Sequence, residues 1–361
     1  MPRIFQRRDY DATLRVWCSP RGRQDFHHGG VSLLRVTLVA TVAVLSAAGC
    51  SRPALVEPPT KAGLRAVSLQ TDWFPQAEHG GFYQALARGY YAEAGLTVDI
   101  RSGGPGAAIK VPVAKGTADF GMNRSDDVML AAARGLPLLI VAATFQHDPQ
   151  ALMVHDGSPV RSFPDLQGRT VTAAVGMAWI PFIQKKYGIK FDLRPLNYGV
   201  AGFLVDKSTV QQCFITNEPF YVQQRGLKVR TLLLADSGYD VYQTIICRRE
   251  LARTEPALVR AFVTATLRGW RDYLDGDPAP AHAMILERNS QMTREQLEFS
   301  RGELIAHSFA TGDRAKGEDL GQLSLARLGR EMAVLMELKI LDAPVALPSI
   351  VTTEFLPPGL R

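Results

Sequence analysis

The sequence predicts an α/β chain of two lobes followed by a helical C-terminal tail. Short apolar runs alternate with helical stretches from Ala66 onward, the pattern restarts at Leu152, and the chain turns almost wholly helical after Arg249. Strands that alternate with helices build a mostly parallel sheet covered on both faces. The first unit reads as strands Ala66–Gln70, Thr97–Ile100, Ala118–Met122 and Leu138–Thr144, with helices over Gly81–Ala92, Ala107–Ala114 and Asp126–Ala133. The second reads as strands Leu152–His155, Thr170–Ala174, Leu193–Asn197, Gln212–Thr216, Arg230–Leu234 and Tyr242–Arg248. In the tail, Thr254 before Glu255-Pro256 marks a helix start that carries to about Asp275. Further helices are expected over Ala279–Glu287, Thr293–Ala306 and Leu323–Leu338. The division that follows is 65–148 for the first part of lobe 1, 149–246 for lobe 2, and 247–361 for the return to lobe 1 and the tail. Crossovers are expected near 146–150 and 245–249.

Residues 1–49 read as a leader and 50–64 as a linker. Val36–Ala48 is a run of thirteen mostly apolar residues, behind Arg35 and ahead of Gly49-Cys50. That is short of the roughly 20 residues a membrane span needs and fits a secretory signal peptide. Leu45-Ser46-Ala47-Ala48-Gly49-Cys50 resembles a bacterial lipobox, with Ala47 where Leu is preferred. Cys50 is therefore the expected lipidation site, and the mature chain is expected in the periplasm or cell envelope on a lipid anchor. Ser51–Lys61 holds three prolines and no apolar periodicity, as a tether does. Residues 1–30 are long and Arg-rich for a leader, so translation is expected to begin near Val31.

The net charge of +6 is uneven. Seven Arg and three Asp lie in residues 1–49, which leaves 34 basic against 32 acidic side chains in the other 312 residues. Nucleic-acid surfaces carry clustered basic charge, so nucleic acid is excluded as the main partner. Cys18, Cys50, Cys213 and Cys247 are too scattered for a zinc site. No metal and no cofactor is expected, and Cys213 and Cys247 are expected as buried thiols. Ligands of open α/β sheets gather beyond the carboxyl ends of strands. The loops after Gln70, Met122, Thr144, Ala174, Asn197 and Thr216 are therefore where binding residues are sought.

Several ordered fragments carry a family resemblance. They are Asp72-Trp73-Phe74-Pro75, His79-Gly80-Gly81-Phe82-Tyr83, Gly116-Thr117-Ala118-Asp119-Phe120-Gly121, Asp165-Leu166-Gln167-Gly168-Arg169 and Thr216-Asn217-Glu218-Pro219-Phe220. Together they resemble the ABC-transporter solute-binding proteins related to thiamine-pyrimidine synthases, a group that includes nitrate, sulfonate and taurine binders. The resemblance covers about residues 66–275. It implies a periplasmic-binding-protein-like, venus-flytrap fold of type II, with a permease and an ATPase on separate chains. The synthase branch consumes a pyridoxal-phosphate-bound lysine and an active-site histidine. Counting from Gly121, the resemblance places Asn123 at the lysine position and Asp127 at the histidine position. Asn123 has no primary amine for a Schiff base, so no enzyme is expected and no residue is assigned a catalytic role.

Ten residues are candidates for ligand contact. Trp73 follows a strand and offers a face for a planar ligand, with Asp72 beside it as an acceptor. His79, Tyr83, Asn123 and Ser125 sit near the same strand ends, although capping of the next helix competes for Asn123 and Ser125. Gln146 lies at the first crossover. In the second unit Trp179 is a candidate opposite wall to Trp73, with core packing as the competing reading, and Tyr198 holds a similar place after a strand. Glu218 precedes Pro219 at a helix start, where a carboxylate is favoured by the helix dipole alone. Its functional reading is a bidentate acceptor for an amino group and a ring N–H.

The acids Asp72, Asp126, Asp148 and Glu218 outnumber Arg124 in this text. Oxyanion binders present cations and free N–H donors. The expected solute is thus a neutral or cationic heterocycle, with thiamine pyrimidine precursors first and riboflavin-like rings next. A nitrate-, sulfonate- or taurine-type oxyanion is the alternative. The protein is expected to act as a monomer, and a sensing role through a receptor stands beside transport.

Overall fold

A computed structural model describes residues 63–360. The leader, Cys50 and all but the end of the linker lie outside the described residues. All ten expected strands are present: β1 (Arg65–Gln70), β2 (Leu96–Arg101), β3 (Phe120–Arg124), β4 (Leu138–Phe145), β5 (Gln150–His155), β6 (Thr170–Ala173), β7 (Asp192–Pro195), β8 (Val210–Phe214), β9 (Val229–Leu233) and β10 (Gln243–Arg248). They form two five-stranded sheets, ordered β2-β1-β3-β10-β4 and β7-β6-β8-β5-β9. The helices of the first half are α1 (Gly80–Ala87), α2 (Tyr90–Glu93), α3 (Lys110–Lys115), α4 (Ser125–Ala133), α5 (Trp179–Tyr187), α6 (Ala201–Val205) and α7 (Glu218–Gln223). The returning chain adds α8 (Arg249–Thr254), α9 (Pro256–Asp275), α10 (Ala279–Arg288), α11 (Arg294–Ala306) and α12 (Leu325–Glu337).

The sheets are mixed, which corrects the expectation of mostly parallel pairing. β10 runs antiparallel to β3 and β4, and β5 runs antiparallel to β8 and β9. The remaining pairs are parallel. The reason lies in the crossovers. β4 and β9 run towards the cleft and leave their sheets there, so β5 and β10 enter the opposite sheets running away from it. β10 belongs to the first sheet from Gln243, so the second crossover precedes that residue and does not lie at 245–249.

Two local expectations also change. The single helix over Gly81–Ala92 is two, because Gly89 between them adopts a left-handed φ of 77°. Thr254 does not cap α9. It ends α8, where its hydroxyl donates to the Glu250 carbonyl at 2.9 Å.

α9 is the main support of the first sheet. It buries Phe262 and Trp270 completely, and each such side chain contributes about 1.5–3 kcal/mol relative to exposure. The Phe262 ring stacks on Phe120 of β3 at 3.8 Å between centroids. α1 presses against α9 through two glycines. A Cβ on Gly81 would meet the Trp270 ring at 2.1 Å, and one on Gly269 would meet the Gly81 carbonyl at 2.3 Å. This close approach fixes the start of α1, and with it the 3-10 turn Ala77–His79. The tail covers the outer edge of β4 with isolated bridges from Gly321 to Ala143 and from Val351 to Ile140, which shields an otherwise open strand edge.

Candidate functional site

The carboxyl ends of β1, β3, β4, β7 and β8 converge on a cavity of about 130 Å³ between the sheets. Asp72 and Trp73 enter it from the loop after β1, Tyr198 from the loop after β7, and Glu218 from the first turn of α7. The Trp73 and Tyr198 rings meet across the cleft with centroids 5.1 Å apart and planes 47° apart. Tyr198 is nearly half exposed and has a φ of 58°. A bulky residue is uncommon in the left-handed region, and Tyr198 adopts it where its ring meets Trp73 of the opposite lobe.

Two carboxyls define the electrostatics. Glu218 Oε2 accepts a 2.8 Å hydrogen bond from the Phe214 backbone N–H. One oxygen is thus engaged by the backbone of β8, and a carboxylate keeps further acceptor sites beside such a bond. Glu78 is buried and accepts a short hydrogen bond from the Thr216 hydroxyl of the other lobe. Burial pushes Glu218 up to about 7, against the hydrogen bond from Phe214 and helped by repulsion from Glu78. Burial likewise raises Glu78, against the Thr216 hydrogen bond. Desolvation disfavours the charged form of any acid, and among the described residues none in this cavity wall is Lys, Arg or His.

The other candidates take different places. His79 is fully buried behind the cavity, with Nε2 2.8 Å from Asp72 Oδ1, so it positions that carboxylate. Asn123 lines a second cavity that shares Asp72 with the first. Tyr83 is in the core, with the Arg288 guanidinium 5.4 Å from its ring centre. Ser125 donates to Glu331 at 2.9 Å and accepts from the Tyr242 N–H at 3.0 Å, so it ties α4 to α12 and to the second crossover. Gln146 donates to the carbonyls of Asp319 and Gln322 in the tail, both at 2.9 Å. Trp179 is fully buried in the core, so the ring facing Trp73 is Tyr198. Asp126 and Asp148 are buried by the crossovers, away from the cavity wall.

Sequence reading passed over Gln76, Glu78, Gln212, Asn217 and Gln243, all of which line the cavity. Gln212 lies within β8 and Gln243 opens β10, and each is buried. A buried amide in a strand is a legible signal, because polar groups rarely go inside without a partner. Cys213 and Cys247 are free and buried.

Two α/β lobes, crossed twice by the chain and enclosing a polar cavity, define a bilobal solute-binding protein. Its fold is shared with a putative periplasmic sulfonate-binding protein SsuA from Methylobacillus flagellatus KT, at a TM-score of 0.60 and 15% identity over 81% of this chain and 93% of that one. The chain belongs to the NMT1/THI5 like family, whose model matches residues 76–281. It is 27% identical to the riboflavin-binding protein RibY of Chloroflexus aurantiacus, over 90% of this chain and 99% of that protein. It is 31% identical to the formylaminopyrimidine-binding protein of Halalkalibacterium halodurans, over 67% of this chain and 77% of that protein.

Proposed function

We propose that the chain is the solute-binding subunit of an ABC importer, tethered through a lipid on Cys50, that captures a planar nitrogen heterocycle between its lobes. Pyrimidine precursors of thiamine are the leading solutes. One observation carries the reading: the cavity sets Asp72, Glu78, Glu218 and four side-chain amides among four aromatic residues, with no cation in its described wall. An oxyanion entering it would lose its water without gaining a charged partner. An amino group beside a ring nitrogen asks for one acceptor and one donor. Glu218, which burial raises to about 7, offers either, since a protonated acid donates and an ionised one accepts. The two relatives are named for riboflavin and for formylaminopyrimidine, both nitrogen heterocycles, which supports the same class.

Binding without turnover fits the second cavity. Asn123 has no amine to offer, and Lys110 nearby is held by Asp127 at 3.0 Å. The permease and ATPase are separate chains in this reading, and the subunit works as a monomer.

Mass spectrometry of small molecules released from natively isolated protein tests the solute. Calorimetric titration then compares 4-amino-5-hydroxymethyl-2-methylpyrimidine with an alkanesulfonate. Binding of the pyrimidine and not the sulfonate is expected, and the reverse order removes the heterocycle reading. Cys50→Ser is expected to abolish labelling by a fatty-acid probe, and labelling that persists removes the anchor.

A further inference from the structure

We infer that Gln212 and Asn217 are hydrogen-bond donors to the solute in the interlobe cavity, and that Gln296 and Tyr221, outside its wall, are positioning residues that hold Asn217 in that sense. The inference rests on the heterocycle reading and deepens it. An amide side chain donates at one end and accepts at the other, so what it offers a solute depends on which end the protein takes. β6 and β8 pair only as far as Thr172 and Gln211, and β6 ends at Ala173. Just beyond, the Ala174 N–H donates to Gln212 Oε1 at 3.0 Å. A backbone N–H can only donate, so the oxygen of Gln212 is fixed on the strand end. Its NH2 is the end left for the cavity that Gln212 lines.

Asn217 is set from farther away. It stands at the N-cap of α7, where an Asn oxygen ordinarily accepts from its own helix, yet it makes no such bond. Its Oδ1 accepts instead from Gln296 Nε2 of α11 at 2.7 Å. Gln296 is buried, and its Oε1 accepts from the Tyr221 hydroxyl of α7 at 2.8 Å. The one hydrogen of the phenol thus goes to Gln296, the Gln296 amide donates in turn to Asn217, and Asn217 keeps its own NH2. One turn along α11, the Ser300 hydroxyl donates to the Thr216 carbonyl at 2.6 Å. The Phe299 and Phe220 rings lie 5.5 Å apart beside it, so α11 is held against the turn that carries Asn217 and Glu218. Among the described residues, no protein acceptor takes Gln212 Nε2 or Asn217 Nδ2, and neither atom is sealed in the interior. The cavity therefore offers donors from these amides and acceptors from Asp72 and Glu218. The solute atoms that face Gln212 and Asn217 are acceptors, a ring nitrogen or a ring carbonyl.

Titration calorimetry with two probes that differ only in such acceptors tests this. 4-Amino-5-hydroxymethyl-2-methylpyrimidine and 2-amino-4-methylbenzyl alcohol carry the same three substituents, and the second has CH where the first has ring nitrogens. The wild-type protein is expected to prefer the pyrimidine by about ten- to hundred-fold. Gln212→Glu keeps an oxygen for the Ala174 N–H and puts a second oxygen in place of the donor. Gln296→Glu leaves the wall untouched but removes the NH2 that Asn217 Oδ1 accepts from. Asn217 then turns its own NH2 to the new carboxylate and its oxygen to the cavity. Each variant is expected to cut the preference about tenfold, where a merely loosened site would weaken both probes alike. Hydrogen exchange of the Asn217 side-chain amide, followed by NMR without solute, should slow in Gln296→Glu, and this readout stands even where Gln212→Glu misfolds. A preference that survives both variants, or unchanged Asn217 exchange, overturns the inference and leaves the heterocycle reading in place. Equal binding of the two probes by wild type overturns both. Failure of wild type to bind either probe removes the pyrimidine as solute, and the exchange measurement still decides the inference.

Discussion

At the hinge, Asp126 and Asp240 are each held by an arginine; in the cleft, Glu78 and Glu218 have none. Arg124 Nε lies 3.1 Å from Asp126 Oδ1, and the Tyr239 hydroxyl donates to the other oxygen at 2.5 Å. Burial works to raise the Asp126 carboxyl, but the charge and hydrogen bonds of Arg124, with Tyr239, hold it below the usual range. Beside it, His147 bridges Asp240 at 2.6 Å and Glu318 at 3.0 Å, and Arg327 reaches Asp240 at 3.0 Å. His147 comes from the first crossover, Asp240 from the second, and Glu318 and Arg327 from the tail. The network therefore fastens both crossovers to one support. In the cleft, burial acts on Glu218 without such compensation and carries it to about 7. Asp126 and Asp240 are thus tied into the fold by their arginines, while Glu218 in the cleft keeps only the hydrogen bond from Phe214.

The largest effect should come from breaking the hinge side. Asp126→Asn leaves Arg124 buried without its anion, and loss of one partner of a buried pair costs about 3–5 kcal/mol. Urea unfolding should show that loss, with pyrimidine affinity of the folded fraction unchanged. A loss in the range of exposed pairs, under about 1 kcal/mol, would remove the contrast.

Next comes the cleft. Glu218→Gln brings an amide donor towards a solute donor, and such a mismatch costs about 1–3 kcal/mol, or roughly ten- to hundred-fold in affinity. Its effect on the free protein has the opposite sense. With a folded value of about 7 above the ordinary 4.5, the folded state binds more protons between those values. The stabilisation from Glu218 is therefore fully present below 4.5 and is lost as pH rises through about 7. Unfolding measured across that window should fall less steeply in the Gln variant. Identical slopes, or unchanged pyrimidine affinity, would sink the assignment.

Tyr198→Ala should cost less, since an aromatic pair adds about 0.5–1.5 kcal/mol beyond its buried area. Trp179→Phe makes the contrast sharper: it should lower Tm and leave affinity alone, because Trp179 is core. An affinity loss in Trp179→Phe that matched Tyr198→Ala would reverse the wall assignment. The smallest effect belongs to His147. The hydrogen bond to Asp240, against burial, raises it above the ordinary 6.5. Its contribution is complete below 6.5 and fades as pH rises through the folded value. His147→Gln should flatten stability over that upper window, and an unaltered profile would show that His147 does not hold the crossovers.

Asp72, Trp73, Tyr198 and Glu218 were legible because each follows a strand end, and strand ends are where such folds collect ligands. The same rule misplaced Ser125, Gln146 and Trp179, which also follow strand ends but turn into the core or the tail. Position along the chain does not state which side of a loop faces the cleft. Glu78 was hidden for a different reason. It sits one residue from His79, and only the press of α1 on α9 through Gly81 and Gly269 aims that turn at the other lobe.

By itself the sequence determined ten strands, the helical stretches of the first unit, and two lobes with a helical return. Apolar periodicity and turn residues are local properties, readable over a few positions. The tertiary structure alone decided the directions of β5 and β10, because a crossover reverses a strand only relative to a sheet it has not yet joined. It also decided which acids meet which cations. Arg124 and Asp126 are neighbours in the chain, but Asp240 finds Arg327, 87 residues further on, and Glu78 finds Glu218 across the cleft. Charge pairing depends on distance in space and on water excluded by packing, and neither is written in the order of residues.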